Sequence, residues 1–125
     1  MTKTHIITID GIEVALRCSG ATPILYRSQF QGDLIAEFNH IYMRNGEGED
    51  KGDYLPEGAI ELLIKAAYIM ARQGDPKERR SFEEWADQFS LMGLTNDLGR
   101  IAEILIEDEK TTEEPKKNTE EQSAD

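Results

Sequence analysis

The sequence predicts a mainly α-helical α+β domain, in which an N-terminal β-hairpin packs on a bundle of about five helices and an acidic disordered tail follows. Three observations support this fold class. The dipeptide Asp10-Gly11 separates two runs of alternating apolar and polar residues. The mostly apolar segment 56–73 is too long for a strand and suits a helix. Ser81 and Glu84 have the spacing of a capping box at a helix N-terminus.

The predicted hairpin covers residues 4–17. Asp-Gly favours a two-residue type I′ turn, because both central positions of that turn need a positive φ. Such a turn pairs residues across the hairpin: Ile9 with Ile12, Ile7 with Val14, His5 with Leu16 and Ile6 with Ala15. This register puts five aliphatic side chains on one face and mainly polar side chains on the other. The apolar face should therefore be buried against the helices.

Five helices are predicted after the hairpin, at about residues 23–31, 33–43, 56–73, 82–90 and 96–108. Thr22 is the predicted N-cap of the first helix, with Pro23 at its first helical position. The helix at 56–73 is apolar on nearly every side, as expected of a helix surrounded by neighbours. Residues 44–54 are glycine-rich, charged and without periodicity, which predicts a mobile loop.

The sequence predicts one compact domain over residues 1–108 and a disordered acidic tail over residues 109–125. No large apolar residue occurs from Lys110 onward. Residues 107–125 hold eight acids and three lysines, a net charge of −5. Low hydrophobicity with excess charge is typical of disorder.

The overall charge narrows the classes of partner. Acidic residues outnumber basic residues 25 to 14, for a net charge of −11, which argues against binding nucleic acid or an anionic membrane surface. No apolar run is long enough to span a bilayer, and the N-terminal residues lack the hydrophobic segment of a signal peptide. Cys18 is the only cysteine, so no intrachain disulfide can form. These features together predict a cytoplasmic protein.

No residue pattern indicates catalysis, a cofactor or a metal. His5 and His40 lack the neighbouring ligands that a zinc site requires, and Cys18 has no activating neighbour in the sequence. The acidic loop that starts at Asn45 superficially resembles a calcium loop. It has Asp50 where glycine is needed and Pro56 where a bidentate glutamate is needed. We therefore expect a binding protein and not an enzyme.

Two segments resemble a known protein family. The first is Ala21-Thr22-Pro23-Ile24-Leu25-Tyr26-Arg27-Ser28-Gln29-Phe30, followed by Asp33-Leu34-Ile35, and the second carries Phe82, Trp85 and Phe89. The chain is similar to the tail assembly chaperones of Gram-positive siphophages and prophages. In that family a β-hairpin precedes a Tyr-Arg-x-x-Phe-Gly-x-Asp-like stretch, and a Phe-x-x-Trp-x-x-x-Phe-like helix follows. The likeness covers most of residues 4–106 and departs at Gln31, where the family pattern has glycine.

The resemblance implies a non-enzymatic protein of phage assembly. Such a chaperone binds the tape measure protein and keeps it soluble until the tail tube assembles around it. The resemblance also implies contacts with the major tail protein, often through a longer frameshifted product, and a place in the host cytoplasm but not in the mature virion. The candidate partner-contacting residues are Tyr26, Arg27, Phe30, Trp85, Ile101 and Leu105. Self-association of the chain is left open.

Two alternatives remain. The aromatic residues Phe82, Trp85 and Phe89 have helical spacing, which is more typical of a core than of a contact surface. The chain could also be an acidic inhibitor or DNA mimic that binds a nucleic-acid-binding protein. Nearly half of the net charge lies in the predicted tail (−5 of −11), which weakens that alternative. A mimic should lose its partner steeply as salt rises.

Overall fold

The computed structural model describes the backbone of residues 4–45 and 58–113, and the side chains of residues 4–41 and 58–107. The elements follow in the order β1 (Thr4–Ile9), β2 (Ile12–Arg17), α1 (Thr22–Phe30), α2 (Leu34–Asn45), α3 (Ala59–Gly74), α4 (Phe82–Asp87), α5 (Leu91–Asn96) and α6 (Leu98–Glu113). The predicted fold class is confirmed, because an N-terminal antiparallel hairpin packs on a mainly helical bundle.

The hairpin has the predicted register. Asp10 and Gly11 have φ values of 53° and 80°, as a type I′ turn requires, and Ile9 pairs with Ile12. One face is buried, through Ile7, Ile9, Val14 and Leu16. The Asp10 carboxylate also accepts hydrogen bonds from the backbone N–H and the hydroxyl of Ser90, at 2.7 and 3.2 Å. The turn is thereby fixed to the start of α5.

Helix α3 is the centre of the core, as its composition predicts. It packs against β2 and against α1, α2, α4 and α6. Its buried side chains are Ala59, Leu62, Leu63, Ala66, Ala67, Tyr68, Ile69, Met70 and Ala71. At its C-terminus, a Cβ on Gly74 would overlap the carbonyl group of Ala15, so the helix end lies directly against the backbone of β2.

The assignment of Thr22 as the N-cap of α1 is wrong. The helix already begins at Thr22, and its N-cap is Ala21, whose φ and ψ are −81° and −17°. Thr22 is fully buried and has a different set of partners: its Oγ1 accepts from the N–H of Ser19 at 2.9 Å and donates to Gln73 Oε1 at 2.6 Å. The threonine therefore joins the start of α1 to α3.

Several helix boundaries differ from the predicted ones. Helix α3 begins at Ala59, three residues after Pro56. Pro56 and most of the predicted mobile loop at 44–54 lie outside the described residues. The predicted helix 82–90 ends earlier, with Asp87, because Ser90 caps a further short helix, α5, by accepting from the N–H of Gly93 at 3.0 Å. Helix α5 is not among the predicted helices.

Helix α6 extends beyond the predicted boundary at residue 108. Its backbone is helical through Glu113, so the first five residues of the predicted disordered tail belong to a helix. Acidic residues near a helix C-terminus cost only about 0.3 to 1 kcal/mol each, which is too little to end the helix. The rest of the predicted tail, residues 114–125, lies outside the described residues.

Candidate partner-binding groove

The two segments that carry the family resemblance meet in a cluster of aromatic rings. Phe30 at the end of α1 lies against Phe82 at the start of α4, with 5.0 Å between ring centroids. Tyr68 of α3 lies 5.5 Å from Phe82 and 5.7 Å from Trp85. Tyr26 lies 5.2 Å from Phe30. Residues far apart in the sequence thus form one packed unit, which we call the aromatic cluster.

The aromatic cluster has mainly a structural role. Trp85 and Phe89 are buried, and Phe82 is half-buried against the core. The interpretation of these three rings as core residues is confirmed. Lys65 covers part of Phe30, with its Nζ 5.3 Å from the ring centroid.

Most of the predicted partner-contacting side chains are inside the protein. The buried members of the set are Tyr26, Trp85, Ile101 and Leu105. Phe30 is half-buried, and Arg27 alone of the six is exposed. A partner would therefore meet Arg27 and the edge of Phe30 in this conformation. The contact set as a whole stays a prediction.

The turn between α1 and α2 depends on a buried tyrosine. The hydroxyl of Tyr26 donates a hydrogen bond to Glu37 Oε1 at 2.8 Å. Burial raises the pKa of Tyr26 well above its ordinary value of 10.0, and the Glu37 carboxylate makes a smaller contribution in the same direction. A Cβ on Gly32 would overlap the same carboxylate, so a side chain there would displace the end of Glu37. The preceding residue, Gln31, has a φ of 66° and caps α1 in the left-handed conformation.

Gln31 has a backbone conformation that glycine favours. Glycine is the residue that adopts positive φ without strain, and it is common at the position that follows a helix. Gln31 occupies the position where the resembled family has glycine. The backbone of this chain therefore has the conformation that the family's glycine would favour, although the side chain differs.

A groove lies beside α1. Its volume is about 410 Å³. It lies between α1, the C-terminal half of α3 and the connector that follows α3. Its lining residues are Leu25, Ser28, Gln29, Ile69, Arg72, Gln73, Pro76 and Glu78. We call it the α1–α3 groove.

Helix α1 carries two exposed apolar side chains, of which Leu25 lines this groove. Ile24 is 69% exposed and Leu25 is 41% exposed. Leu25, Ser28 and Gln29 lie at i, i+3 and i+4 on α1, so they share one face of that helix. This face is separate from the one that carries Tyr26 and Phe30 into the aromatic cluster.

The α1–α3 groove is not acidic, although the chain is. Residues 14–32 and 62–74 contain no aspartate or glutamate, in a sequence with 25 of them. Among the described residues that line the groove, Glu78 is the one carboxylate, and it forms an ion pair with Arg80, with Nη2 at 2.8 Å from Oε1. The hydrogen bonds from Arg80 hold the pKa of Glu78 below its ordinary value of 4.5. Arg72 adds a positive charge to the lining.

These features suit an amphipathic helix better than a small molecule or a metal ion. A helix laid in a groove inserts apolar side chains at i, i+3 and i+4 and keeps its polar face outside. Among the described residues, no group of three histidine, cysteine or acidic side chains could hold a metal ion. Within the same residues, no helix is long and apolar enough to cross a membrane.

Comparisons with protein-family models, with curated proteins and with solved structures found no match to this chain. The likeness to tail assembly chaperones therefore rests on the two sequence segments alone.

The groove is not among the features that the sequence predicts. Leu25, Gln29 and Arg72 were absent from the predicted contact set, because helical spacing favoured the large side chains that face the core. One signal was available in the sequence. The two acid-free stretches mark a surface that differs from the rest of an acidic chain.

Proposed function

We propose that this protein is a tail assembly chaperone of a siphophage or prophage, which binds a helix of the tape measure protein in the α1–α3 groove. The observation that carries this proposal is a groove whose single lining carboxylate, Glu78, is paired with Arg80, in a chain of net charge −11. The tape measure helix would bury Leu25, and the acidic remainder of the surface would stay in water.

The energetics favour this arrangement. Burial of an isoleucine or leucine side chain stabilises a complex by roughly 1.5 to 3 kcal/mol. Long helices with an apolar stripe aggregate unless a partner covers that stripe. High net charge of one sign keeps the complex soluble and discourages further association. The same domain thus covers an apolar helix and carries the charge that prevents aggregation.

The family resemblance supplies the identity of the partner. It implies contact with the tape measure protein and with the major tail protein, during assembly in the host cytoplasm. The aromatic cluster supports it, because it gives the two resembling segments a shared role in holding α1 in place. Helix α1 in turn forms one wall of the groove.

Co-expression tests the proposed function. The tape measure protein encoded in the same gene cluster is expressed with and without this chain, and its soluble fraction is measured. The proposal predicts a mainly insoluble tape measure protein alone and a soluble complex when both are present. A tape measure protein that is equally insoluble in both cases would contradict the proposed function.

Matched variants test the groove. Leu25→Glu places a carboxylate in the groove, and Leu91→Glu places one on α5, where the leucine is 75% exposed. We expect Leu25→Glu to weaken binding by about 2 kcal/mol, roughly 30-fold, since the burial of one leucine is lost. Leu91→Glu should bind like the wild type. Equal melting temperatures would show that neither variant disturbs the fold, and equal affinities would exclude the groove as the binding site.

A further inference from the structure

The outer edge of β1 is a second surface without a partner in the described structure. The sheet there consists of β1 and β2. In an antiparallel pair closed by a two-residue turn, hydrogen-bonded and non-hydrogen-bonded pairs alternate, beginning with the hydrogen-bonded pair of Ile9 and Ile12. Thr4, Ile6 and Thr8 are then in non-hydrogen-bonded pairs. Their backbone N–H and C=O groups point away from β2, toward the free edge.

The opposite edge of the sheet is covered. Ala15 is in a non-hydrogen-bonded pair with Ile6, so its carbonyl points away from β1. The C-terminus of α3 lies in that direction, since a Cβ on Gly74 would overlap the Ala15 carbonyl. Among the described residues, Thr4, Ile6 and Thr8 have no backbone hydrogen bond outside the hairpin. The open side of the sheet is therefore the β1 side.

This edge lacks the features that usually prevent strands from pairing between molecules. Protected edge strands commonly carry lysine or another charged residue, or a proline. Residues 4–9, Thr-His-Ile-Ile-Thr-Ile, contain no proline and no lysine, arginine or acid. Ile6 is 60% exposed on the solvent face, between two exposed threonines. The strand thus carries no lysine, arginine or acid, in a chain of net charge −11.

The sequence of β1 is self-complementary about Ile6. An antiparallel two-fold axis at this residue forms three pairs between the copies. Ile6 pairs with Ile6 of the second copy, Thr4 with its Thr8, and Thr8 with its Thr4. All three pairs use backbone groups that point to the free edge, which allows about six hydrogen bonds. The outer face would then carry an isoleucine pair flanked by threonine pairs, both favourable across strands. Arg17, beside Thr4, would lie in the same row as Glu13 of the second copy, so no row opposes like charges.

We propose that two copies of this chain associate through β1 and form a continuous four-stranded antiparallel sheet. The occupant of the edge is a second copy, because the pattern of Thr4, Ile6 and Thr8 matches itself under the two-fold axis and no charge of the strand opposes the pairing. The α1–α3 groove takes no part in this contact. The dimer would hold two grooves and could contact two helices of a long partner.

Sedimentation velocity over a range of concentrations tests the proposal on the full chain. The wild type should dimerise. Ile6→Lys sets two lysines directly opposite each other and should raise the dissociation constant by at least about tenfold. Ile24→Lys is the matched control, because this isoleucine is also exposed but lies on α1. It should dimerise like the wild type. A monomeric wild type, or an equal effect of both substitutions, would overturn the proposal.

Cross-linking tests the register. In a chain with Cys18→Ala, Ile6→Cys should form a covalent dimer with a short bifunctional thiol reagent. Thr4→Cys and Thr8→Cys should cross-link to each other when mixed, and poorly to themselves. The two copies of Thr4 would lie about 14 Å apart along the strands, at 3.4 Å per residue. Efficient cross-linking of Thr4→Cys alone would contradict the two-fold register, as would capture of this edge by a strand of another protein in place of the second copy.

Discussion

Replacement of Gln31 by glycine should stabilise the protein. Its φ of 66° places a residue with a Cβ in the left-handed region, which costs roughly 1 to 2 kcal/mol. Glycine removes this strain but loses more backbone entropy on folding, roughly 0.5 to 1 kcal/mol. The bond from Gln31 Nε2 to the Ser28 carbonyl is exposed and long, at 3.4 Å, and contributes little. Gln31→Gly should therefore stabilise the protein by about 0.5 to 1 kcal/mol.

The neighbouring Gly32 should respond in the opposite direction. An alanine there would displace the Glu37 carboxylate and break its hydrogen bond with Tyr26. Loss of a hydrogen bond to a charged group costs about 1.5 to 3 kcal/mol, and the lower entropy of the unfolded chain returns about 0.4 to 1 kcal/mol. Gly32→Ala should therefore destabilise by roughly 1 kcal/mol or more.

Urea unfolding at neutral pH measures both changes. We expect the midpoint to rise for Gln31→Gly and to fall for Gly32→Ala, with unchanged slopes. In a Glu37→Ala background the carboxylate is absent, so Gly32→Ala should lose most of its effect. A lower midpoint for Gln31→Gly would refute the left-handed assignment. A Gly32→Ala effect that simply adds to that of Glu37→Ala would refute the steric argument.

Three further outcomes follow from described contacts. Val14→Asp should cost several kcal/mol of stability, because it buries a carboxylate in the core. Thr8→Asp, on the exposed face, should destabilise the protein only slightly. Similar urea midpoints for the two variants would contradict the register. Folded Tyr26 keeps its proton at a pH where the unfolded chain loses it, so the free energy of unfolding should fall as pH rises above 10.0. In thermal melts, Tyr26→Phe should lack the loss of stability that comes from this tyrosine. Ser81→Ala removes a capping box and should cost about 1 kcal/mol in urea unfolding, whereas Ser28→Ala within α1 should cost nothing.

Local signals account for most of the correctly predicted fold. The Asp10-Gly11 turn determines the pairing of every residue in the hairpin, because a two-residue turn allows a single register. The capping box at Ser81 is equally local, since its two partners are three residues apart. Helix α3 was predictable because it is apolar on nearly every side. In each case the deciding residues lie within a few positions of one another.

Long-range contacts decide what the sequence analysis missed. Asp10 binds Ser90, 80 residues away, and this contact fixes the start of α5. The Thr22 side chain forms a hydrogen bond with Gln73, 51 residues away. Thr22 is the first residue of α1 and does not occupy the predicted cap position. No periodic pattern reports such pairings. They depend on how the hairpin and the helices pack against α3.

The candidate site was difficult to predict for a related reason. A helical stripe of large apolar residues has the same spacing whether it faces the core or a partner. Tyr26 and Trp85 face the core, whereas Leu25, one position from Tyr26, faces the α1–α3 groove. A rotation of about 100° per residue separates these two environments on one helix. Only the packing of α1 on α3 shows which face remains available.

Amide hydrogen exchange of the full chain, with and without the tape measure protein, shows whether that protein binds in the α1–α3 groove. Exchange reports local opening, so a bound helix should slow it in the elements that form the groove. The account predicts added protection in α1 and in the C-terminal half of α3, and little change in α5. Protection confined to α5 and α6, or no added protection when the two proteins form a soluble complex, would contradict it.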